Sequence, residues 1–218
     1  MKLKAGLIDL DGTLVHYETN HVVEEAKRIS RVLNLPELKE VHILRCIAKG
    51  RMDEIIHNSI YPNFENYFWQ MFDEAATPKM RLLPQAKIAL QNLTNNNIKL
   101  ALVTARNVEE SEISNYLKQE GILHFFSAIL TKRSLSSPWA GKDSYFLSAL
   151  RALNLTPKEA LAVGDRPSDA KSASAIGIAL NVLVRTGGID EDVLRTIPCH
   201  HIVDDISHLP NLTIGAAV

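Results

Sequence analysis

Four short apolar runs punctuate the chain: IKLALVT at 98–104, SAILT at 127–131, ALAVG at 160–164 and IALNVLV at 178–184. Each is continuous rather than alternating, as in strands covered on both faces, and such strands belong to parallel sheets. A further run, LIDLDGTLV at 7–15, reads the same way except that it carries Asp9 and Asp11 two positions apart. Segments with helical spacing lie between the runs. Pro84 is placed to open one, with Ile88, Leu90 and Leu93 along it, and Asn107 to cap the next, with Glu110 three residues on. DSYFLSALRAL at 143–153 has helical spacing, and Thr156-Pro157-Lys158-Glu159 resembles a capping box with proline at the first position. Strand–helix alternation of this kind predicts an α/β fold.

Residues 16–83 break the rhythm. VVEEAKRISRVL (22–33), ELKEVHILRCIA (37–48), MDEIIHNSI (52–60) and NFENYFWQMFDEAA (63–76) read as short amphipathic helices, punctuated by Pro36, Gly50, Pro62 and Pro78. The spacing predicts a helical insert after the first strand, with the sheet resuming at about residue 84. Within the insert, Tyr61, Phe64, Tyr67, Phe68, Trp69 and Phe72 form a cluster expected to be core.

Composition narrows the class of partner. The 218 residues are 46% hydrophobic and 22% charged with a formal net charge of −1, which gives no electrostatic case for nucleic acid or an anionic membrane. No apolar run has the length of a membrane span, and the short apolar start is broken by Asp9. Cys46 and Cys199 are far apart and are expected to be free thiols in a reducing cytoplasm.

In a parallel sheet, ligands bind at the carboxyl ends of the strands, so the polar residues there are the candidates for chemistry. The first run ends in Asp9 and Asp11, the second in Thr104 followed by Arg106, and the fourth leads into Asp165, with Asp169 one turn on. Lys142 precedes the helix that leads into that fourth run. Taken singly, an aspartate capping a helix, a threonine ending a strand or a lysine in solvent is ordinary. Taken together they are not, because clustered carboxylates repel unless a metal or a shared proton is present. Oxygen donors without histidine or cysteine at suitable spacing favour Mg²⁺ over zinc.

These residues carry a resemblance. DLDGT at 9–13, Thr104 in LALVTAR and GDRPSD at 164–169 are similar, in order and separation, to three signature motifs of the haloacid dehalogenase superfamily. The helical insert and the tail TGG…HHIVDDISHLPNL resemble the subgroup that includes phosphoglycolate phosphatases and β-phosphoglucomutases. The resemblance implies a Rossmann-like three-layer parallel-sheet core at 1–15 and 84–218 and a small helical cap at 16–83. The lysine motif departs from the family pattern: Lys142 is followed by Asp143 rather than proline and lies 23 residues before Asp165, whereas Lys132 lies 33 residues before it. Lys142 is the preferred candidate.

By that resemblance Asp9 is the nucleophile and Asp11 the general acid and base. Asp9, the Asp11 carbonyl, Asp165 and Asp169 hold or support Mg²⁺, while Thr104 and Lys142 bind the transferring phosphoryl group. Gly12 lets the chain turn directly after the two carboxylates. Arg106 is read as a substrate contact or a structural ion pair, and Arg51, in the Lys49-Gly50-Arg51 turn of the insert, as a cation near the leaving group or a solvated residue. Arg166 has no assigned role, Trp139 is a candidate for the cleft wall, and His200-His201 reads as ordinary strand sequence. The expectation is a Mg²⁺-dependent cytoplasmic phosphatase, monomeric or homodimeric, acting on a small phosphate monoester through an aspartyl-phosphate. The alternatives are a phosphomutase and a non-catalytic phosphate-binding regulatory protein.

Overall fold

The apolar runs assemble into the all-parallel sheet that their continuity predicts. The computed structural model describes residues 2–16, 18–57, 59–72, 80–134 and 141–215. Six strands, β1 (Ala5–Ile8), β2 (Lys99–Val103), β3 (Phe126–Leu130), β4 (Ala160–Gly164), β5 (Leu180–Val184) and β6 (His201–Val203), lie in the order β3-β2-β1-β4-β5-β6. Every adjacent pair is parallel, with Ile8 level with Leu102 on one side and Val163 on the other.

Successive strand residues point to opposite faces, and both faces are buried. Ile8, Leu100, Leu102, Leu161 and Val163 share one cluster with Leu90 and Leu93 of α4 (Ala86–Asn95) and with Ile113 and Leu117 of α5 (Glu110–Gln119). Ala5, Leu7, Ala101, Val103, Ala160 and Ala162 share the other with Phe146 and Leu150 of α6 (Lys142–Leu153) and Ala173 of α7 (Pro167–Ala175). The small residues on this second face leave room for the aromatic ring of Phe146. The result is a three-layer α/β Rossmann-like fold.

Residues 16–72 contribute α1 (Thr19–Val32), α2 (Glu40–Ala48) and α3 (Phe64–Met71). Their apolar faces meet in a separate cluster built from Val23, Ile29, Ile43, Ile47, Phe64 and Phe68. Tyr61 and Phe72 pack against that cluster, whereas Tyr67 is partly exposed. Two chain segments join the insert to the sheet, and they pair with each other: His16 N–H donates to Arg81 O at 2.9 Å and Leu83 N–H to Leu14 O at 2.8 Å. The chain closes with α8 (Glu191–Leu194) and α9 (Leu209–Gly215).

Several local expectations need correction. The run at 7–15 is a strand only as far as Ile8. Beyond it, the Leu10 carbonyl accepts from the N–H groups of Thr13, Leu14 and Val15, so the backbone coils into a tight turn. The helix expected at 52–60 is a single 3₁₀ turn at Met52–Glu54. His57 competes with its continuation, because its Nδ1 takes up both the Ser59 hydroxyl (2.7 Å) and the Ser59 N–H (3.2 Å). The helix after β2 begins at Glu110 rather than near Asn107, with Glu109 N–H donating to Glu112 at 3.1 Å. Of the segment expected to be helical at 63–76, α3 accounts for Phe64–Met71, and 73–76 lie outside the described residues. Trp139, Pro78 and the side chain of Trp69 also lie outside them. Cys46 and Cys199 are free thiols.

Candidate active site

The strand order places β1 between β2 and β4, and each of the three ends in a polar residue one position beyond it: Asp9, Thr104 and Asp165. All three are buried. This is the strand-end position at which doubly wound sheets bind ligands, where the connections diverge to opposite sides. Asp169 joins them from the first turn of α7 and Lys142 from the first residue of α6.

Asp9, Asp165 and Asp169 form a buried triad of carboxylates, each offering one oxygen within 4.8 Å of the others. Lys142 is the counter-charge. Its Nζ donates to Asp9 Oδ1 and pairs with Asp169 Oδ1 at 2.5 Å. Thr13 Oγ1 donates to Asp9 Oδ2 at 3.2 Å, so both oxygens of Asp9 are oriented. Asp169 Oδ2 accepts the Arg166 N–H at 2.9 Å, which caps α7 and fixes that carboxylate. Lys132, by contrast, lies in the 3₁₀ turn after β3, and its N–H donates to Arg106 O at 2.9 Å.

Burial is the largest influence on Asp9 and Asp165. It pushes Asp9 up to about 6, opposed by the Lys142 ammonium and reinforced by Asp169. It holds Asp165 well above the usual carboxylate range despite Arg166 beside it. Burial alone would lower Lys142, but the charges of Asp169 and Asp9 outweigh it and raise its value. A buried ion pair of this kind is costly to assemble and more costly to break.

Asp165 Oδ2 is buried without a hydrogen bond; Arg166 Nε stands 3.2 Å from it but outside hydrogen-bonding geometry. Its carboxyl fills the space beside Gly12 and Gly187: a Cβ on Gly12 would come within 2.6 Å of Asp165 Oδ2. An orphaned carboxylate oxygen within an all-oxygen donor set fits a hard divalent cation such as Mg²⁺.

Asp11 stands apart from the triad. Arg106 grips it in a fork, with Nε to Oδ2 at 2.8 Å and Nη2 to Oδ1 at 2.6 Å. The Arg106 N–H in turn donates to Thr104 Oγ1 at 3.2 Å. Arg51 is not brought to this cluster; it is exposed and pairs with Asp53 at 3.2 Å and Glu54 at 2.8 Å. His200 serves the sheet, accepting the Asn181 N–H on Nδ1 at 3.0 Å.

Two threonines also contribute to the site. Thr13 was visible as the last residue of DLDGT, and only the fold brings its hydroxyl back onto Asp9. Thr186, the threonine of TGG in the tail, donates to Gly12 O at 2.5 Å, bracing the turn after Asp11 from 174 residues away, and only the fold gives it this partner.

Known proteins resemble this chain in sequence and in fold. The protein named "Putative pyrophosphatase PpaX" from Clostridium perfringens is 25% identical over 179 residues, 77% of each chain. The crystal structure of a "predicted phosphoglycolate phosphatase" from Haemophilus somnus 129PT superposes with a TM-score of 0.71 at 24% identity, covering 98% of this chain and 99% of that one. A "predicted phosphatase" from Clostridium acetobutylicum superposes with a TM-score of 0.75 at 16% identity, covering 99% and 100%. The sequence profile of the haloacid dehalogenase-like hydrolases matches residues 7–183, from the strand that delivers Asp9 through the one that follows Asp169, and the chain is an enzyme belonging to that family.

Proposed function

We propose that this enzyme is a Mg²⁺-dependent phosphatase that hydrolyses a phosphate monoester of a small molecule, with Asp9 as nucleophile. The observation that carries the reading is the ordered, buried Asp9 carboxylate, held by Lys142 and Thr13 beside two further carboxylates.

Asp9 attacks phosphorus, the bond to the leaving oxygen breaks, and Asp11 supplies the proton that oxygen needs. Water then attacks the aspartyl-phosphate and gives its proton to Asp11, releasing phosphate and regenerating Asp9. Asp9, Asp165 and the Asp11 backbone carbonyl would hold Mg²⁺, with Asp169 supporting the site. The bound ion supplies charge neutralisation between carboxylate and phosphate. Lys142 adds fixed positive charge and Thr104 a hydrogen bond to a phosphoryl oxygen. Arg106 already binds an oxyanion, the Asp11 carboxylate. An incoming phosphate competes for the same fork and frees Asp11 to act. Arg51 is left out of this set, because its charge is met by its own acidic neighbours.

Residues 16–83 are read as a cap over a core formed by 1–15 and 84–218. Their separate apolar cluster and the paired connections at 14–16 and 81–83 support that division. The names of the relatives above favour small phosphate esters or pyrophosphate as substrates.

The test is p-nitrophenyl phosphate hydrolysis by the purified protein. Turnover is expected with Mg²⁺, with loss in EDTA, loss in Asp9→Asn, and loss in Asp11→Asn with Mg²⁺ binding retained. Full activity in Asp9→Asn would remove the nucleophile assignment. A screen of sugar phosphates that yields an isomer in place of free phosphate would replace the phosphatase with a mutase.

A further inference from the structure

The residue that follows Asp165 is an arginine, and the reaction above gives it no task. Arg166 sits in extended backbone (φ −109°, ψ 151°) at the start of α7. Its side chain faces two ways. Nε stands 3.2 Å from Asp165 Oδ2, and Nη1 donates to the carbonyl of Ile47, in the last turn of α2, at 3.4 Å. The last carbonyls of a helix carry partial negative charge and favour a cation. A planar guanidinium spreads its charge over three nitrogens, so one can donate to the helix carbonyl while another faces the carboxylate, which a compact ammonium does less well.

Neighbouring contacts make this spot a docking point. Asp190 N–H donates to Ala48 O at 2.8 Å, and Lys49 Nζ pairs with Asp190 Oδ2 at 2.8 Å. Gly50, at φ +63°, turns the chain away against the Pro167 ring, where a Cβ would meet Pro167 Cγ at 3.2 Å. Residues 47–50 of the insert therefore rest on residues 166–167 and 189–190.

We propose that Arg166 is a positioning residue that couples the carboxylate of Asp165 to the docking of residues 47–50. The coupling rests on the reading of Asp165 as a cation ligand. A divalent cation there neutralises the carboxylate that attracts Nε and repels the guanidinium. The acceptor on α2 is untouched, so the arginine shifts toward the helix end and holds the insert more firmly. By linkage, a docked insert favours cation binding to the same degree.

The Asp190 amide reports this docking directly, because its hydrogen bond ends on the insert. Its hydrogen–deuterium exchange is to be measured on the full chain in wild type, Arg166→Ala and Arg166→Lys, with and without Mg²⁺. Mg²⁺ binding is read by calorimetry on the same samples. Without metal, exchange is expected to be about threefold or more faster in Arg166→Ala, with Arg166→Lys between the two and the β2 amides alike in all three. Mg²⁺ is expected to slow Asp190 exchange in wild type and to leave Arg166→Ala unchanged. Equal exchange in wild type and Arg166→Ala overturns the proposal, as does a Mg²⁺ response that survives in Arg166→Ala. A wild type that binds no Mg²⁺ overturns the metal reading and the coupling with it. Binding without an Arg166-dependent change overturns the coupling alone.

Discussion

Asp9 is a buried carboxylate that the fold retains against desolvation, and that tension is measurable. Its folded value of about 6 lies above the ordinary 3.8, raised first by burial, with Lys142 pulling the other way. Between those two values the folded chain binds more protons than the unfolded one. The contribution is therefore fully present below the lower value and is lost as pH rises through the upper one. In metal-free protein, wild type is expected to lose stability relative to Asp9→Asn as pH rises from about 4 to about 6, by on the order of 3 kcal/mol. Denaturant melts of the two proteins across that range measure the difference. A constant offset between the curves would show that the carboxylate does not carry this penalty. Much at this scale could be read from the sequence: Asp9, Thr104 and Asp165 follow adjacent strands of a parallel sheet, and Lys142 and Asp169 join Asp9 from the starts of two helices. The grip of Arg106 on Asp11 could not, since it joins residues 95 positions apart through side-chain geometry alone.

The decisive element is the turn that ends β1. A strand continued through Asp11 would keep both carboxylates on one face, with no means of separating their partners. Instead the chain coils on the Leu10 carbonyl, and Gly12 at φ +74° sends Asp11 toward Arg106 while Asp9 stays with Lys142. Gly12 marks the turn, but continuous hydrophobicity hides that the strand already ends at Ile8, because Leu10, Leu14 and Val15 after it are buried in the same apolar cluster. The period of a sequence cannot distinguish a strand from a turn folded under it. Elements of ordinary chemistry were more legible: α6 begins within one residue of its expected start, and the Thr156 N–H donates to Glu159 Oε2 at 3.0 Å as the capping pattern requires. Gly12→Ala tests the turn. The left-handed backbone costs a Cβ-bearing residue about 1–2 kcal/mol. The new methyl would also stand 2.9 Å from Gly187 Cα and press on the Asp165 carboxyl. Turnover is expected to fall at least about tenfold, and thermal stability with it, because a misplacement of about 1 Å is enough to disrupt transfer chemistry. Unchanged turnover would show that this turn does not set the carboxylate geometry.

At the scale of the whole molecule, the site gathers charge from across the chain: Asp9 and Asp165 directly follow β1 and β4, and Lys142 and Asp169 lie at the starts of α6 and α7. A ligand that satisfies them should therefore stabilise the whole sheet rather than one loop. Three carboxylates face the Lys142 ammonium and the Arg166 guanidinium, so negative charge stays in excess, and Asp165 Oδ2 lacks a hydrogen bond. A divalent cation removes that repulsion in the folded chain, while the unfolded chain offers no such cluster. Stabilisation then follows mass action, about 2.7 kcal/mol at a hundredfold excess over the dissociation constant. Mg²⁺ is accordingly expected to raise the thermal midpoint at pH 7.5 by several degrees, with Asp165→Asn losing most of the rise. Asp165→Asn should itself melt higher than wild type when both are metal-free, since it removes a buried charge that burial already disfavours. Differential scanning calorimetry with and without Mg²⁺ reads both effects. A metal-free Asp165→Asn that melts lower than wild type would show that Arg166 alone already compensates the carboxylate.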